Sequence, residues 1–288
     1  GEVVTEEPMS RHTTFRIGGP ADYFVTPHTK EEIRQVIQLC KAESLPFAVL
    51  GNGSNLLVGD KGFRGVVIQL FKNFSDITIE EEDIYAQSGA LLVRLANQAA
   101  EQGLTGLEFA SGIPGTLGGA VVMNAGAYGG EMKDVILYSD VLTEEGEFLR
   151  LSREELELGY RTSCIQKKGY IVLEAVLALQ QGSPDEICAV MDDLAAKRRE
   201  KQPLEYPSAG STFKRPEGYF AGKLIMDAGL AGYRVGDAAV SDKHCGFVVN
   251  LGKATATDVR GLMHDVSDRV YAQFGVHLEP EVRFVGNF

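Results

Sequence analysis

The residues best placed to hold a reacting molecule lie at positions 107–130, which read LEFASGIPGTLGGAVVMNAGAYGG. This stretch contains seven glycines and a single charged residue, Glu108. Glycines at this density allow positive φ angles and let a ligand approach the main-chain N–H groups closely. Apolar residues alternate with the glycines, whereas a disordered glycine-rich linker would carry more charge and no apolar runs. We interpret the segment as a folded loop that wraps a ligand; a tight run of turns inside a core is the alternative.

A second loop of the same kind lies upstream. A short buried strand at 46–50 is followed by the sequence GNGSN at 51–55 and by an apolar run at 56–58. A strand that runs into Gly-x-Gly beside Ser and Asn forms a nest of N–H donors suited to a pyrophosphate. The loop is not a Rossmann fingerprint, because Leu56 takes the place of the third glycine and no helical periodicity follows. Alone it could equally be a hairpin turn, but two such loops favour a dinucleotide in an unusual cradle.

Three further clusters bring charged and hydroxyl groups together. They are GYRTS at 159–163, SAGSTFKRP at 208–216 and LEPEVR at 278–283. Each also has a purely structural explanation: Arg161 as a surface cation, Ser211 as a turn hydroxyl, and Glu281 with Arg283 as a pair on one strand face. None supplies the Ser/His/Asp order or the GxSxG elbow, so a serine triad is not favoured.

Bulk composition sets limits on the function. The 288 residues carry a net charge of −12, with 44% hydrophobic and 24% charged residues, as in a folded protein of one or two domains. Without a basic tail or lysine run, nucleic-acid binding is not expected. The four cysteines and five histidines show no metal-ligand spacing, which predicts free thiols and no metal site. No apolar span reaches membrane length and no signal peptide is evident, so we expect a cytoplasmic protein that binds no membrane.

The elements that position these groups are short and mixed. Capping signals at 29–32 and 183–186 each predict the start of a helix, and the second helix ends in the basic run at 197–201. Helical periodicity also covers 91–102 and about 257–274, the latter with a core face. Alternation at 171–179 predicts a strand, with shorter strands at 46–50, 56–58 and 246–250. The absence of a strict βαβα order predicts an α+β fold.

Taken in order, GNGSNLLV, SGIPGTLGGAVVMNAGAYG, GYRTS, AGSTFKRP and LEPEVRFVG resemble the family of UDP-N-acetylenolpyruvoylglucosamine reductases, also called UDP-N-acetylmuramate dehydrogenases. The resemblance covers about residues 14–286, and the chain is similar to the shorter of the family's two forms. It implies an FAD-binding region of the vanillyl-alcohol-oxidase type, with subdomains at 1–70 and 71–182. A C-terminal α/β substrate-binding domain would follow at 183–288, with the helix at 183–201 as the bridge.

The same resemblance implies an activity. NADPH would reduce a non-covalently bound FAD, since neither glycine-rich loop contains a histidine for covalent linkage. The enolpyruvyl ether of UDP-N-acetylglucosamine would then receive a hydride at the vinyl carbon C3 and a proton at C2. The product, UDP-N-acetylmuramate, is a precursor of peptidoglycan. Two competing hypotheses are a flavin oxidase of the same fold acting on another alcohol or sugar, and a flavoprotein that binds UDP-sugars without turnover.

Family matching also nominates site residues. Arg161 and Glu281 would stabilise the charge that develops on the substrate carboxylate, and Ser211 would protonate C2. Lys201 and Arg215 are candidates for the pyrophosphate and uridine end of the substrate. Cofactor contacts are expected from Gly51, Asn52, Gly53, Ser54, Asn55, Ser111, Gly112, Pro114, Gly115, Thr116, Gly118, Gly119, Asn124, Gly126, Ala127, Tyr128 and Arg283.

Overall fold

The computed structural model describes every residue from Gly1 to Phe288. The chain forms two compact units, each assembled from three segments. The first unit comprises Gly1–Val4, Phe24–Asn52 and Val66–Arg198, and the second comprises Thr5–Tyr23, Gly53–Gly65 and Arg199–Phe288. The domain boundaries expected at 70 and 182 would make each domain one continuous segment of the chain. The segments of the two units instead alternate along the sequence, because Phe15 and Leu57 pack into the same core as the C-terminal residues.

Seven α-helices are present: α1 Lys30–Ala42, α2 Leu92–Glu101, α3 Leu117–Met123, α4 Cys164–Lys168, α5 Pro184–Lys201, α6 Ala221–Asp227 and α7 Ala256–Phe274. Short 3₁₀ turns occupy Met9–Arg11, Glu108–Ala110 and Met132–Asp134. None of the seven helices combines the length and apolar composition needed to cross a lipid bilayer.

The strands are short, and most of their pairings are antiparallel. In chain order they are β1 Glu2–Pro8, β2 Pro20–Thr26, β3 Phe47–Leu50, β4 Leu56–Val58, β5 Phe63–Gln69, β6 Ile77–Glu80, β7 Asp83–Gln87, β8 Leu104–Thr105, β9 Gly126–Ala127, β10 Gly130–Glu131, β11 Ile136–Leu142, β12 Phe148–Ser152, β13 Ile171–Ala178, β14 Gln180–Gln181, β15 Ser208–Ser211, β16 Arg234–Val235, β17 Ala238–Val240, β18 Phe247–Asn250 and β19 Arg283–Val285. This mixture confirms the predicted α+β class.

The predicted helices form where their local signals lie. The Thr29 hydroxyl accepts the Glu32 N–H at 3.1 Å and caps α1. Helix α5 begins at Pro184, where proline costs no intrahelical hydrogen bond. The apolar residues of α5 are covered only in part: Ile187 is buried, whereas Val190 is 48% exposed. Part of the apolar face of α5 is therefore open to solvent.

Strand β13 forms where the alternation at 171–179 predicted a strand, and both of its faces are buried. It is the central strand of the sheet β12–β11–β13–β7–β6. Val172 and Leu177 belong to one hydrophobic cluster of the first unit, and Ile171 and Leu173 belong to another. A strand between two cores reads as a nearly continuous apolar run.

The second unit is built around α7 and the sheet β15–β18–β17–β16. The predicted core face of α7 is confirmed, since Val259, Leu262 and Val266 are fully buried. Strands β19 and β4 run parallel, with Arg283 opposite Leu56. This pairing fixes the residues after the GNGSN loop beside the last strand of the chain.

The first turn of α7 has a hydrogen-bond partner for each of its leading amides. Thr255 and Asp258 form a reciprocal capping box. The Asp60 carboxylate accepts the N–H groups of Ala256 at 2.7 Å and Thr257 at 2.9 Å, and also the Thr257 hydroxyl. Partial burial raises the pKa of Asp60, but these hydrogen bonds outweigh it, and the net pKa is lowered.

We expect Asp60→Ala to lower the free energy of unfolding by about 1 kcal/mol at pH 7, as for loss of a helix N-cap. Because the folded-state pKa is lowered, the stabilisation is present above the pKa of an unfolded aspartate, near ~3.9. It is lost as the pH falls through the lower folded-state pKa. Denaturant unfolding at pH 7 and at low pH measures the difference.

Asp192→Ala is the matched control, because Asp192 is an exposed aspartate within α5. We expect it to change the stability by no more than about 0.5 kcal/mol. An Asp60→Ala protein as stable as the wild type at pH 7 would show that the capping box alone suffices.

Candidate functional site

The two glycine-rich loops meet within the first unit. A Cβ atom built on Gly51 would overlap the Thr116 hydroxyl, so only glycine allows this approach. Next to it, the Asn52 side-chain amide donates to the Pro114 carbonyl at 2.7 Å. Residues from both loops, far apart in the chain, therefore form one surface.

Residues of the long loop serve two purposes. Thr116 and Gly118 are buried, and Gly118 donates its N–H to the Ser88 carbonyl at 2.8 Å. Gly119 is exposed, and a Cβ built on it would come no closer than 3.8 Å to any atom outside its own helix. Gly118 therefore anchors the loop to the rest of the first unit, whereas Gly119 leaves a stretch of exposed backbone that no side chain covers. Ser111, Gly112, Gly115, Gly126 and Ala127 are partly exposed.

Asn124 has a role that the sequence did not reveal. We expected it to face the cofactor, but the residue is fully buried at the end of α3 in the left-handed conformation. Its amide donates to the Glu131 carboxylate and to the Gly159 carbonyl, and its oxygen accepts the Lys133 N–H at 2.9 Å. We therefore reassign Asn124 from cofactor contact to a structural tie within the loop.

Tyr128 lies at the tip of the hairpin β9–β10. Gly126 and Ala127 pair with Glu131 and Gly130, which leaves Tyr128 and Gly129 as a two-residue turn. Both have positive φ, 54° and 92°, as a type I′ turn requires. Tyrosine is rare in this conformation. The turn exposes 48% of Tyr128 at the edge of the loop.

Arg161 sits in a similarly strained turn. Its φ is 54°, and Gly159 and Thr162 exchange backbone hydrogen bonds across it. The guanidinium lies 3.4 Å from the Gly126 carbonyl and 5.1 Å from the centroid of the Tyr160 ring. The structure therefore places Arg161 beside the long glycine loop.

Arg198 is a member of the first unit's surface that our sequence analysis missed. A Cβ built on Gly112 would lie 2.7 Å from the Arg198 Nη1 atom, so the guanidinium rests directly on the glycine loop. Burial lowers the pKa of Arg198, although a guanidinium remains protonated at neutral pH. The basic run at 197–201 was the available signal, but spacing alone did not identify which cation turns inward.

In the second unit, Ser211 and Glu281 lie on adjoining segments. The Glu281 N–H donates to the Thr212 carbonyl at 2.9 Å, and the Lys214 N–H donates to the Glu279 carbonyl at 2.8 Å. The buried Thr212 hydroxyl also accepts the Val248 N–H at 2.9 Å. Ser211 is exposed at the end of β15, next to the segment that contains Glu281.

The other half of the GNGSN loop joins this cluster. Asn55 donates its side-chain amide to the Glu281 carbonyl at 3.1 Å, and its own carbonyl accepts the Arg283 N–H at 2.9 Å. Gly53 has a φ of 63°, and a Cβ there would overlap the His12 carbonyl. Substitution of Gly53 would therefore disturb the protein itself before any ligand.

The two substrate-binding candidates are both in the second unit. Lys201 is exposed at the end of α5. Arg215 is also exposed, and its guanidinium stacks on the Phe220 ring at 4.0 Å. The structure thus groups Ser211, Asn55, Glu281 and Arg283 in one cluster and the glycine loops with Arg161 in another.

Among the residues described, no group of three or more His, Cys, Asp or Glu side chains is placed to hold a metal ion.

Comparison with known proteins bears on both units. The model of an FAD-binding domain matches residues 21–152. The model of the C-terminal domain of UDP-N-acetylenolpyruvoylglucosamine reductase matches residues 202–285. The reductase of that name from Agathobacter rectalis is 59% identical over 99% of this chain and 95% of its own length. The one from Clostridioides difficile is 54% identical over 99% and 94%.

A solved structure extends the likeness to three dimensions. The crystal structure of UDP-N-acetylenolpyruvylglucosamine reductase from Thermus caldophilus is 40% identical and superposes with a TM-score of 0.84. It covers 99% of this chain and 98% of that one. The resemblance inferred from the loop motifs is confirmed, and so is the FAD-binding fold class with its C-terminal domain. The chain therefore belongs to the UDP-N-acetylenolpyruvoylglucosamine reductase family of FAD-dependent oxidoreductases.

Proposed function

We propose that this protein reduces the enolpyruvyl ether of UDP-N-acetylglucosamine to UDP-N-acetylmuramate in the cytoplasm, with NADPH as the electron donor. The observation that carries the proposal is the placement of an exposed serine, Ser211, on the segment whose next residue, Thr212, accepts the Glu281 N–H. Reduction of an enol ether needs a proton donor beside groups that bind a carboxylate, and these residue types meet that need.

The glycine loops fit a flavin dinucleotide. Ser54 and Asn55 donate their backbone N–H groups to no acceptor in the structure, and Gly119 presents a surface without side chain. Such amides suit a pyrophosphate. We assign the holding of FAD to the exposed residues of both loops, with Tyr128 and Arg283. When bound, FAD supplies the hydride-transfer chemistry, taking a hydride from NADPH and passing it to the substrate.

The chain's own residues carry the rest of the reaction. As a hydride adds to C3, electron density moves onto the substrate carboxylate. Arg161 offers a planar guanidinium with paired donors that match a carboxylate. Glu281, in its protonated form, would add a hydrogen bond to the same developing charge. The left-handed turn at Arg161 sets the direction in which the side chain leaves the backbone.

Ser211 completes the reaction by donating its hydroxyl proton to C2. A serine is a weak acid in water, so its alkoxide needs stabilisation from nearby donors and positive charge. The neighbouring backbone is held rigidly, since Thr212 is bound through its carbonyl, its N–H and its hydroxyl. These bonds hold the backbone from which the Ser211 side chain projects, and a displacement of about 1 Å can cost a hundredfold in rate.

An anaerobic absorption experiment tests the proposed function. The purified protein should show an oxidised flavin spectrum that bleaches on addition of NADPH and recovers on addition of the enolpyruvyl substrate. Oxygen consumption with sugars or alcohols, and no bleaching by NADPH, would instead indicate an oxidase. Flavin that neither bleaches nor recovers would indicate a binding protein without turnover.

Gly119→Val should give a folded protein that has lost most of its flavin, because the added Cβ has room within the protein, 3.8 Å from the Thr116 Oγ1 atom, and projects from the exposed loop that we assign to the cofactor. The measurements are the flavin-to-protein absorbance ratio and the melting temperature of the flavin-free protein. Gly261→Val in α7 is the control, since its Cβ also has room, 3.7 Å from Val235. Full flavin occupancy in Gly119→Val would remove the long loop from the cofactor site.

Ser211→Ala should leave flavin reduction by NADPH near the wild-type rate and slow reoxidation by the enolpyruvyl substrate roughly 10²–10⁴-fold, as for loss of a positioned acid. The reason is that only the second half-reaction requires a proton at C2. Stopped-flow absorbance follows both steps. Ser208→Ala, in the same strand, should leave both rates unchanged, and equal losses in the two half-reactions of Ser211→Ala would contradict the assigned role.

Glu281→Gln should retain more activity than Glu281→Ala. Glutamine keeps the size of the side chain and a hydrogen-bond donor toward the substrate carboxylate, whereas alanine leaves that charge without the bond. Removing one such donor costs on the order of 10²–10³ in rate. The rate of flavin reoxidation by substrate is the measurement. If Glu281→Ala reoxidised its flavin at the wild-type rate, residues 278–283 would be a structural strand only.

A further inference from the structure

Strand β15 contains a β-bulge just before Ser211. Ser208 pairs with Val249 and Ser211 pairs with Phe247, so β15 spans three residue steps where β18 spans two. Gly210, inside the bulge, has a φ of 73°, and a Cβ built on it would meet no atom within 4 Å. A bulge bends its strand and changes the direction of the side chains near it. The path of the backbone from Ser208 therefore decides the direction in which the Ser211 side chain leaves the strand.

The start of the bulge is held by Thr14, a residue from the first part of the chain. Its hydroxyl donates to the Ser208 carbonyl at 2.6 Å, across a separation of 194 residues. Strand β15 lies at the edge of its sheet, with β18 as its one neighbour. The Thr14 hydroxyl therefore supplies, from outside the sheet, a hydrogen bond that no second neighbouring strand provides.

Thr14 also contacts the GNGSN loop through its backbone. Its N–H donates to the Gly53 carbonyl at 3.2 Å. A Cβ built on Gly53 would overlap the His12 carbonyl, so the segment that precedes Thr14 lies directly against this loop. One residue thus joins the loop that we assign to the cofactor and the strand that carries the candidate proton donor.

The neighbouring Thr13 shows what a purely local threonine does in this segment. Its hydroxyl donates to the Ile17 carbonyl at 3.0 Å and accepts the Ile17 N–H at 3.3 Å. The Thr13 side chain is buried, and these bonds stabilise its own turn. Thr14, one position later, directs its hydroxyl out of that turn to a strand formed by distant residues.

We propose that Thr14 is a positioning residue for the proton transfer: its hydroxyl fixes the Ser208 carbonyl and thereby the bulge that directs Ser211 toward C2 of the substrate. The inference rests on the proposed function, in which Ser211 donates that proton. In this role Thr14 touches none of the reacting atoms and acts through the backbone of β15. Its second bond, to Gly53, holds the strand of Ser211 at a fixed offset from the GNGSN loop.

Thr14→Val is the first test, because valine keeps the branched shape of threonine and removes the hydroxyl donor. The flavin-loaded protein should be reduced by NADPH near the wild-type rate. Its reoxidation by the enolpyruvyl substrate should be roughly 10- to 100-fold slower, as for a displacement of up to about 1 Å. Thr14→Ser, which keeps the hydroxyl, should restore the reoxidation rate. Stopped-flow absorbance measures both half-reactions, and flavin content should be unchanged because the backbone bond to Gly53 remains.

A double variant shows whether Thr14 acts through Ser211. When one residue acts through another, the losses caused by the two substitutions do not add. Thr14→Val should therefore slow reoxidation in the wild type but cause no further loss in a Ser211→Ala background. An additive loss in the double variant would overturn the inference, and so would reoxidation of Thr14→Val at the wild-type rate.

Thr13→Val is the matched control, since it removes a neighbouring hydroxyl that bonds within its own turn. We expect it to lower the melting temperature without changing the ratio of the two half-reaction rates. Hydrogen exchange of the flavin-loaded protein adds a measurement that does not depend on turnover, and the amides at 209–212 should exchange faster in Thr14→Val than in Thr13→Val. If the two variants gave equal exchange and an equal change of the rate ratio, Thr14 would be a structural threonine only.

These outcomes separate the inference from the proposed function. If the wild type is not reoxidised by the enolpyruvyl substrate, the proposed reaction falls, and with it the role of Thr14 in proton transfer. Faster exchange in Thr14→Val would then still show that Thr14 holds the bulge. If the wild type is reoxidised and Thr14→Val is reoxidised at the same rate, the reaction stands and Thr14 has no part in it.

Discussion

The glycine-rich loop depends on one buried side chain. Asn124 ties this loop to the segments around it, because its side-chain amide donates to the Glu131 carboxylate and the Gly159 carbonyl, and its side-chain oxygen accepts the Lys133 N–H. Asparagine also tolerates the left-handed conformation found at this helix end. Each partner left unsatisfied would cost about 1–3 kcal/mol, so this amide holds the loop, the hairpin and the turn of Arg161 together.

Two candidate site residues are held in strained backbone turns. Arg161 and Tyr128 occupy positive φ angles, which costs on the order of 1–3 kcal/mol for each residue. The Arg161 turn is supported where the Ser163 hydroxyl and the Gln166 amide both donate to the Val122 carbonyl, each at 2.7 Å. Strain held this way fixes a side chain before ligand arrives, which lowers the ordering cost of binding.

The sequence predicts well those features that are determined by residues close together in the chain. The cap at Thr29 and the apolar spacing of α7 are local signals, and both helices form as predicted. Three features were missed because they arise from distant parts of the chain. Asp60 caps α7 across a separation of 196 residues, Arg198 turns onto Gly112, and β13 is covered on both faces. Such contacts produce no periodic pattern in the sequence around either residue.

The interleaved second unit has a consequence for how the chain folds as it is synthesised. Its segments Thr5–Tyr23 and Gly53–Gly65 are made early, yet their core partners are in Arg199–Phe288. The ladder that joins β4 to β19 therefore cannot form until residues 283–285 have been synthesised. Until then the apolar side chains of these early segments lack their native cover, as incomplete folding intermediates do. Non-local pairing of this kind slows folding, so the time between synthesis of these early segments and synthesis of their partners is an interval in which the nascent protein is open to aggregation.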